Sequence, residues 1–545
     1  MDLKQFTLLI GVASLPSMTT AATVYRTISK VEAISVDCPV GTVPRLPNLV
    51  WVTYSDGYSE YRQVRWANAP LADEQAEADA QKHPAGSQYE IGGFVIGDET
   101  TDNFRRNLFG YYTWQQRVGQ NDSYTGFITE NGTWTELYRL INVMNNVISS
   151  IEDVPQVSAD ERLGAKRVKG EAHFLRAAYY FWLVNLYGKP YDVATAKEDL
   201  AVPLKTTESV LDIKFSRNTV QETYGLILSD LKTAEACLAE TGEARNIYRA
   251  DLTAVNLLQS RVHLYMQNWQ LAADYADSVL VRQNTLVDLN SRQPYDGFLS
   301  EDSEEMIFSM GDNDIPNFFY YEYKSYRVSH ELYDAYEEDD LRKTQWWWKR
   351  NTFIGSTKLV RGPGMTDDGD PEESNYYNRY YNVAWGGKKA PVSDKFCFRT
   401  AEAYLNKAEA SAYLGQEDEA RKWLNALRAK RYVSGSSYEV IGSGEELVKD
   451  IREERRKEFA LEGFRWFDLR RYGVCEFYPE SKELTHKYTY YADKTTMEEA
   501  HLFVLKANDP AYTLPIPQEV LDFNTGMPNN ERPVREFSVI TPNDN

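Results

Sequence analysis

Two glutamates four residues apart, Glu458 and Glu462, stand in the stretch IREERRKEFALEGFRWFDLRRYG, Ile451 to Gly473. Paired carboxylates can divide general-acid and general-base work across a glycosidic bond when they lie about 5–10 Å apart. An i,i+4 spacing on a helix falls within that range. The same stretch carries Arg455, Arg465, Asp468, Arg470 and Arg471. Cations at that density hold both acids ionised, whereas a general acid needs a raised pKa. The stretch therefore reads first as a structural charge network of Arg455, Glu458, Glu462, Arg465 and Asp468, with the following cations as partners. A glycoside hydrolase site on Glu458 and Glu462 is the second reading. No other set of this kind stands out: the six histidines include no HExxH, and Cys38, Cys237, Cys397 and Cys475 have no short spacing. No metal, cofactor, redox motif or disulfide framework is expected.

The elements that position this stretch read as helices. From Gly442 the chain predicts one long helix, with Ser443 and Glu446 as a capping box, Leu447, Ile451 and Phe459 as the buried stripe, and Gly463 as the stop. Trp134–Ile151 places Leu137, Ile141, Met144 and Ile148 at three- and four-residue steps, and helices also follow up to Gly188 and over Gln221–Leu238. Two segments look like copies of one unit. Residues 254–280 predict a helix, a turn at Asn268–Trp269 and a second helix; residues 401–427 do the same around Gly415–Gln416. Tyr265 and Ala272 fall where Tyr413 and Ala420 fall, which is the logic of a tetratricopeptide-like helix hairpin.

Between the units, residues 285–395 mix Gly, Pro and Asp with aromatic runs, the texture of irregular loops. Loops on a rigid scaffold are where binding function usually sits. The N-terminal part differs again. Residues 24–98 alternate Val, Ile, Trp and Tyr with polar residues around the turn pair Asp56–Gly57, which predicts a small all-β sandwich. That segment resembles the bacterial Ig-like modules of secreted carbohydrate-active proteins. Residues 1–23 read as a possible secretory signal, with Lys4, an apolar run Phe6–Leu15 and small residues near Ala22.

Composition sets the outer bounds. The chain has 545 residues, a net charge of −21 and 38 tyrosines with 12 tryptophans. Such acidity repels a polyanion, so nucleic acid is excluded as a partner. No run of about twenty apolar residues appears, so no helix spans a membrane. Any membrane association comes through an anchor or a partner.

The stretch RRKEFALEGFRWFDLRRYG resembles the C-terminal signature of the SusD/RagB family of outer-membrane nutrient-binding proteins. Other blocks follow in the family's order: GDETTDN at Gly97–Asn103, WTELYRLIN at Trp134–Asn142, Lys169–Pro190, EEMIFSM at Glu304–Met310, Phe398–Ala410 and LPIPQEVLDFNTGMPNN at Leu514–Asn530. The resemblance implies a mainly α, tetratricopeptide-like domain over residues 99–545 with aromatic-rich loops, beside the β domain over 24–98. It implies a non-enzyme at the bacterial cell surface that binds oligosaccharides, or peptides in some members, for a SusC-like TonB-dependent transporter. A purely structural helical scaffold is a further alternative. Cys38 follows Ala33–Asp37 rather than a lipoprotein signal, so export is expected and a lipid anchor is not supported by this N-terminus.

The family's aromatic platform corresponds best to Trp114 with Tyr112 beside it, and to Tyr320, Tyr321 and Tyr323 after the EEMIFSM block. Aromatic faces stack on sugar rings while polar neighbours take the hydroxyls. Trp346 and Tyr377 have no clear family counterpart and read as ligand-binding or as packing between loops; Arg379 would hydrogen-bond the same ligand.

Overall fold

The computed structural model describes residues 28–31, 49–55, 57–63, 98, 100–101, 108–120, 130–209, 213–244, 246–292, 297–311, 313, 315, 326–350, 353–359, 390–491 and 497–540. The chain divides into two compact units, Met1–Gly86 and Ser87–Asn545.

In the first unit, β1 (Ile28–Val31), β2 (Leu49–Tyr54) and β3 (Ser59–Gln63) form an antiparallel sheet in that order. β2 and β3 make a hairpin with Thr53 opposite Ser59, and Gly57 sits at φ +83° between them. The possible signal, residues 1–23, and the remaining strands of the expected sandwich lie outside the described residues.

The second unit is mainly helical. It begins with β4 (Thr100–Thr101) and the single turn α1 (Phe109–Tyr112), followed by α2 (Gly132–Ser150), α3 (Ala159–Tyr187) and α4 (Val220–Leu238). The starts of α3 and α4 are fixed by local capping. Ser158 with Glu161, and Thr219 with Glu222, each form a reciprocal capping box that satisfies otherwise orphaned N–H groups. The buried end of α3 has carbonyls that need donors. Arg470 donates to Asn185 O and Gly188 O, Arg217 and Asn530 donate to Tyr187 O, and the Leu514 N–H donates to Leu186 O.

α5 (Leu252–Tyr265) and α6 (Trp269–Arg282) form the first hairpin. Next come β5 (Met306–Ser309), β6 (Arg327–Val328), α7 (His330–Asp334), α8 (Arg342–Gln345), β7 (Trp347–Arg350), β8 (Phe353–Ser356) and β9 (Cys397–Arg399). The second hairpin is α9 (Thr400–Tyr413) with α10 (Glu417–Arg428). Both hairpin turns pass through a left-handed residue at the equivalent position, Gln267 at φ +62° and Gly415 at φ +73°. Ala272 and Ala420, the matched small residues, are both fully buried. The two hairpins, separated in sequence, pack on each other through Leu264, Trp269, Ala273, Ala410 and Tyr413, with the Trp269 and Tyr413 rings 4.3 Å apart. Ser260 donates to Ala272 O at 2.8 Å and accepts from Asn406 at 3.2 Å.

α11 (Gly444–Glu458) and α12 (Arg465–Gly473) follow. Ser443 makes no side-chain cap; the Gly444 N–H is taken instead by Glu417 at 2.8 Å. The helix stops at Glu458, not at Gly463, because Leu461 turns left-handed at φ +62° before Gly463 does at φ +76°. The chain closes with β10 (Leu484–Tyr491), β11 (Met497–Leu505), α13 (Gln518–Phe523) and β12 (Phe537–Ile540), whose strands form an antiparallel sheet. In β10, Leu484, His486 and Tyr488 alternate inward.

The run Trp346–Trp348 lies wholly inside the unit. Gly355, opposite Trp348 in the β7–β8 pair, has no space for a side chain: a Cβ there would stand 2.3 Å from the indole ring. Gly355→Ala is expected to cost about 1–3 kcal/mol by overpacking, read as a lower urea midpoint. An unchanged midpoint would show that the Trp348 ring is free to yield.

Candidate functional site

Glu458 closes α11 and Glu462 lies in the bend beyond it, so the two are not on one helical face. Glu458 accepts from Arg399 at 2.6 Å and from Arg342 and Arg431 at 2.9 Å. Glu462 accepts two bonds from Arg399, both at 2.9 Å, and pairs with Lys358. Glu305 joins the set through Arg399 at 3.0 Å and Arg431 at 2.6 Å. Arg455 and Arg471 flank Asp468 at 2.9 and 2.7 Å, and Arg465 holds Asp98 at 2.8 Å. The cations of Glu458 and Glu462 thus come from α8, from the end of β9 and from the segments after β8 and α10. They do not come from Arg465, Arg470 and Arg471, the neighbours that sequence order offers.

Glu458 is 0% and Glu462 1% exposed. Burial alone would raise their pKa values. Arg431, Arg399 and Arg342 outweigh it at Glu458 and hold that carboxyl well below the usual range, and Arg399 and Lys358 lower Glu462. A general acid needs the opposite shift and a route to substrate, so this arrangement does not suit acid/base catalysis. What it does is weld the second hairpin and α11 to the loop-bearing part of the chain.

The aromatic candidates separate into two groups. Tyr112 and Trp114 are fully buried. Their rings sandwich His486 of β10 at 4.1 and 4.2 Å, and His486 Nδ1 lies 2.6 Å from Tyr112 O. Trp114 adopts φ +54° to reach that position. Because both side chains are fully buried, neither can serve as a sugar platform in this conformation, and that expectation is corrected. Trp346 is corrected likewise: it is fully buried against Phe298, 4.5 Å away, with Lys358 Nζ 4.3 Å over its ring. It forms a wall of the charge network.

Tyr320, Tyr321, Tyr323, Tyr377 and Arg379 lie outside the described residues, but the anchors of their segments are described. Asn313, before the tyrosine-rich segment, donates to Leu359 O, Ala390 O and Val392 O at 3.4, 2.7 and 3.0 Å. The Ala390 N–H donates to Leu359 O at 3.2 Å, closing the two ends of segment 360–389 on each other. At the far end of the first segment, Tyr326 packs 6.3 Å from the Tyr112 ring. One buried asparagine therefore roots both aromatic segments together. Sequence reasoning missed Asn313, and an isolated Asn between Asp312 and Asp314 carries no signal that could have found it.

Among the described residues no group of three or more His, Cys, Asp and Glu is placed to hold a metal ion, and no helix is long and apolar enough to cross a membrane. The result is a helix-hairpin scaffold that clamps the roots of aromatic segments. Residues 76–264 match a family described as starch-binding and associating with the outer membrane, and residues 362–532 match the SusD family. The first match begins inside the segment expected as a β domain, and the division between units falls at Gly86/Ser87 rather than 98/99. A SusD-like protein of Formosa agariphila is 26% identical over 387 residues, 63% of this chain and 72% of that protein. A SusD-like carbohydrate-binding protein of Bacteroides vulgatus shares the fold with a TM-score of 0.59 at 20% identity, over 81% of this chain and 91% of that one. A SusD superfamily protein of Bacteroides thetaiotaomicron does so with a TM-score of 0.55 at 22% identity, over 84% and 99%. The chain is thus similar to SusD-family proteins over most of its length.

Proposed function

We propose that this protein captures an oligosaccharide at the outer-membrane surface without cleaving it and delivers it to a SusC-like TonB-dependent transporter. The family's description as starch-binding and outer-membrane-associated supports the ligand class and the location. The observation that carries the reading is the common root at Asn313, which ties the segment of Tyr320, Tyr321 and Tyr323 to that of Tyr377 and Arg379. Tyrosines from two segments with one root can offer stacking faces to one ligand, with Arg379 donating to its hydroxyls. The occupied, ionised state of Glu458 and Glu462 supports binding without turnover.

A glycan screen of the purified protein identifies the ligand, and calorimetry then compares variants. Tyr321→Ala and Tyr377→Ala are each expected to weaken binding at least tenfold while the thermal midpoint stays put. Affinities unchanged in both variants would move the platform elsewhere.

A further inference from the structure

A pocket of about 500 Å³ opens where α12 meets the end of α3 and the segment around residues 508–531. Neither Asn313 nor its partners Leu359 and Ala390 line it, and its polar lining has an unusual bias. Arg470 lines it and is only 4% exposed. The other arginines of α12, Arg465 and Arg471, are each paired with a carboxylate. Arg470 donates only to neutral acceptors, Asn185 O, Gly188 O and Thr513 Oγ1, and its Nε–H has no hydrogen-bond partner among the described residues. An ionised group buried without a counter-ion is costly. The carbonyl end of α3 offsets only about half an elementary charge, so positive charge remains.

Of the three amides lining the same pocket, Asn530 is engaged with Arg217, Tyr187 O and Leu514 O, and the other two present donors. Asn529 Oδ1 is already taken by the Ile516 and Asn530 N–H groups at 2.7 and 2.8 Å, and its NH₂ has no hydrogen-bond partner among the described residues. Asn508 Oδ1 is taken by the Ser481 hydroxyl at 2.6 Å, which likewise leaves an NH₂. Lys189, 64% exposed at its side chain, adds an ammonium at the rim beside its partner Asp199. Of the lining acids, Asp509 is occupied by two bonds from Arg535 at 2.8 and 3.0 Å, and Glu531 stands exposed at the rim. The Tyr512 ring supplies an apolar face, stacked on Trp466 at 4.8 Å.

A pocket whose unsatisfied groups, the rim carboxylate of Glu531 apart, are donors around a buried, uncompensated guanidinium suits an anion. We propose that it is a second ligand site, for a sugar residue bearing a carboxylate or a sulfate. The anionic group meets Arg470, Asn508 and Asn529, and the sugar ring lies against Tyr512. That a sugar carries the anion rests on the carbohydrate-binding reading above; the preference for an anion rests on the pocket alone.

Calorimetry with glucuronate, glucose 6-sulfate and glucose tests this on the full chain. At least one of the two anionic sugars is expected to bind ten-fold or more tightly than glucose, and which one does so names the source of the charge. Asn529→Asp replaces an exposed donor with a carboxylate and is expected to reduce that affinity at least ten-fold. Gly473→Leu grows a side chain from the wall, where an added Cβ would stand 3.2 Å from Ser481 Oγ, and is expected to abolish it. Neutral-oligosaccharide binding measured in the same two variants should not change, and Tyr321→Ala should leave the anionic sugar bound, so failure at one site is distinguishable from failure at the other. The proposal is overturned if glucose binds as tightly as both anionic sugars, or if Asn529→Asp, with its thermal midpoint intact, keeps the wild-type affinity.

Discussion

Glu458→Gln is expected to lower the unfolding free energy by about 3–5 kcal/mol, the range found when one partner is removed from a buried ion pair. The substitution keeps side-chain volume, so cavity formation contributes little. What changes is charge: the Glu458 carboxylate faces Arg342, Arg399 and Arg431 within 2.6–2.9 Å. An amide gives those guanidiniums one weaker acceptor and one nitrogen that can only donate. Glu305 and Glu462 remain, but they already share Arg399 and Arg431 with Glu458. Urea unfolding followed by tryptophan fluorescence reads the effect as a lower midpoint at constant slope. The control is Lys449→Gln, which breaks an ion pair whose side chains are 62% and 56% exposed and should leave the midpoint in place. If Glu458→Gln behaves like Lys449→Gln, the network holds nothing together.

Acid should undo the same network, in a pH window set by its carboxylates. Burial opposes ionisation at each of them, yet the surrounding cations prevail. Glu454 is lowered to about 2, Glu458 and Asp98 lie well below their ordinary values of 4.5 and 3.8, and Glu462 and Asp468 are lowered too. Depressed folded-state values mean that the unfolded chain binds more protons as the pH falls through the ordinary range. The stabilisation is therefore complete above about pH 5 and is lost progressively from there toward about pH 2. Asp450, raised chiefly by burial, opposes the trend as a single group. Overall charge also opposes it: a chain at −21 loses self-repulsion on acidification, which favours the compact state. Urea midpoints at fixed ionic strength should be level between pH 7 and 5 and should then fall. A midpoint that rises or stays level down to pH 3 would mean that surface repulsion, not the buried network, governs acid stability.

Local features were readable wherever a few neighbouring residues decide the outcome. The helix over Gln221–Leu238, and the two hairpins with matched Tyr265/Tyr413 and Ala272/Ala420, follow from periodicity. The long-range features were not readable in this way. Arg342 reaches Glu458 across 116 positions and Arg399 reaches it across 59, and nothing local distinguishes these arginines from exposed ones. The capping box at Ser443 and Glu446 has the right letters, but Ser443 makes no side-chain cap, and Glu417 from α10 takes the Gly444 N–H. Trp114 sits among Thr113, Gln115 and Gln116, a polar context that suggests a displayed ring. It is buried because β10 brings His486 against it. The same strand carries a period-two signal in Leu484, His486 and Tyr488 that the helical reading of residues 99–545 passed over. For the proposed binding site, the aromatic segments were legible, while the contact between residues flanking them, Asn313 on Leu359 and Ala390, exists only in the fold.

The central claim is binding of an oligosaccharide without turnover. It is tested most directly by incubating the protein with the best ligand from the glycan screen, measuring the bound fraction, and then analysing the recovered sugar by chromatography. The account predicts saturable binding and a ligand of unchanged chain length after prolonged incubation. Shortened products that accumulate with time and with protein concentration would contradict it.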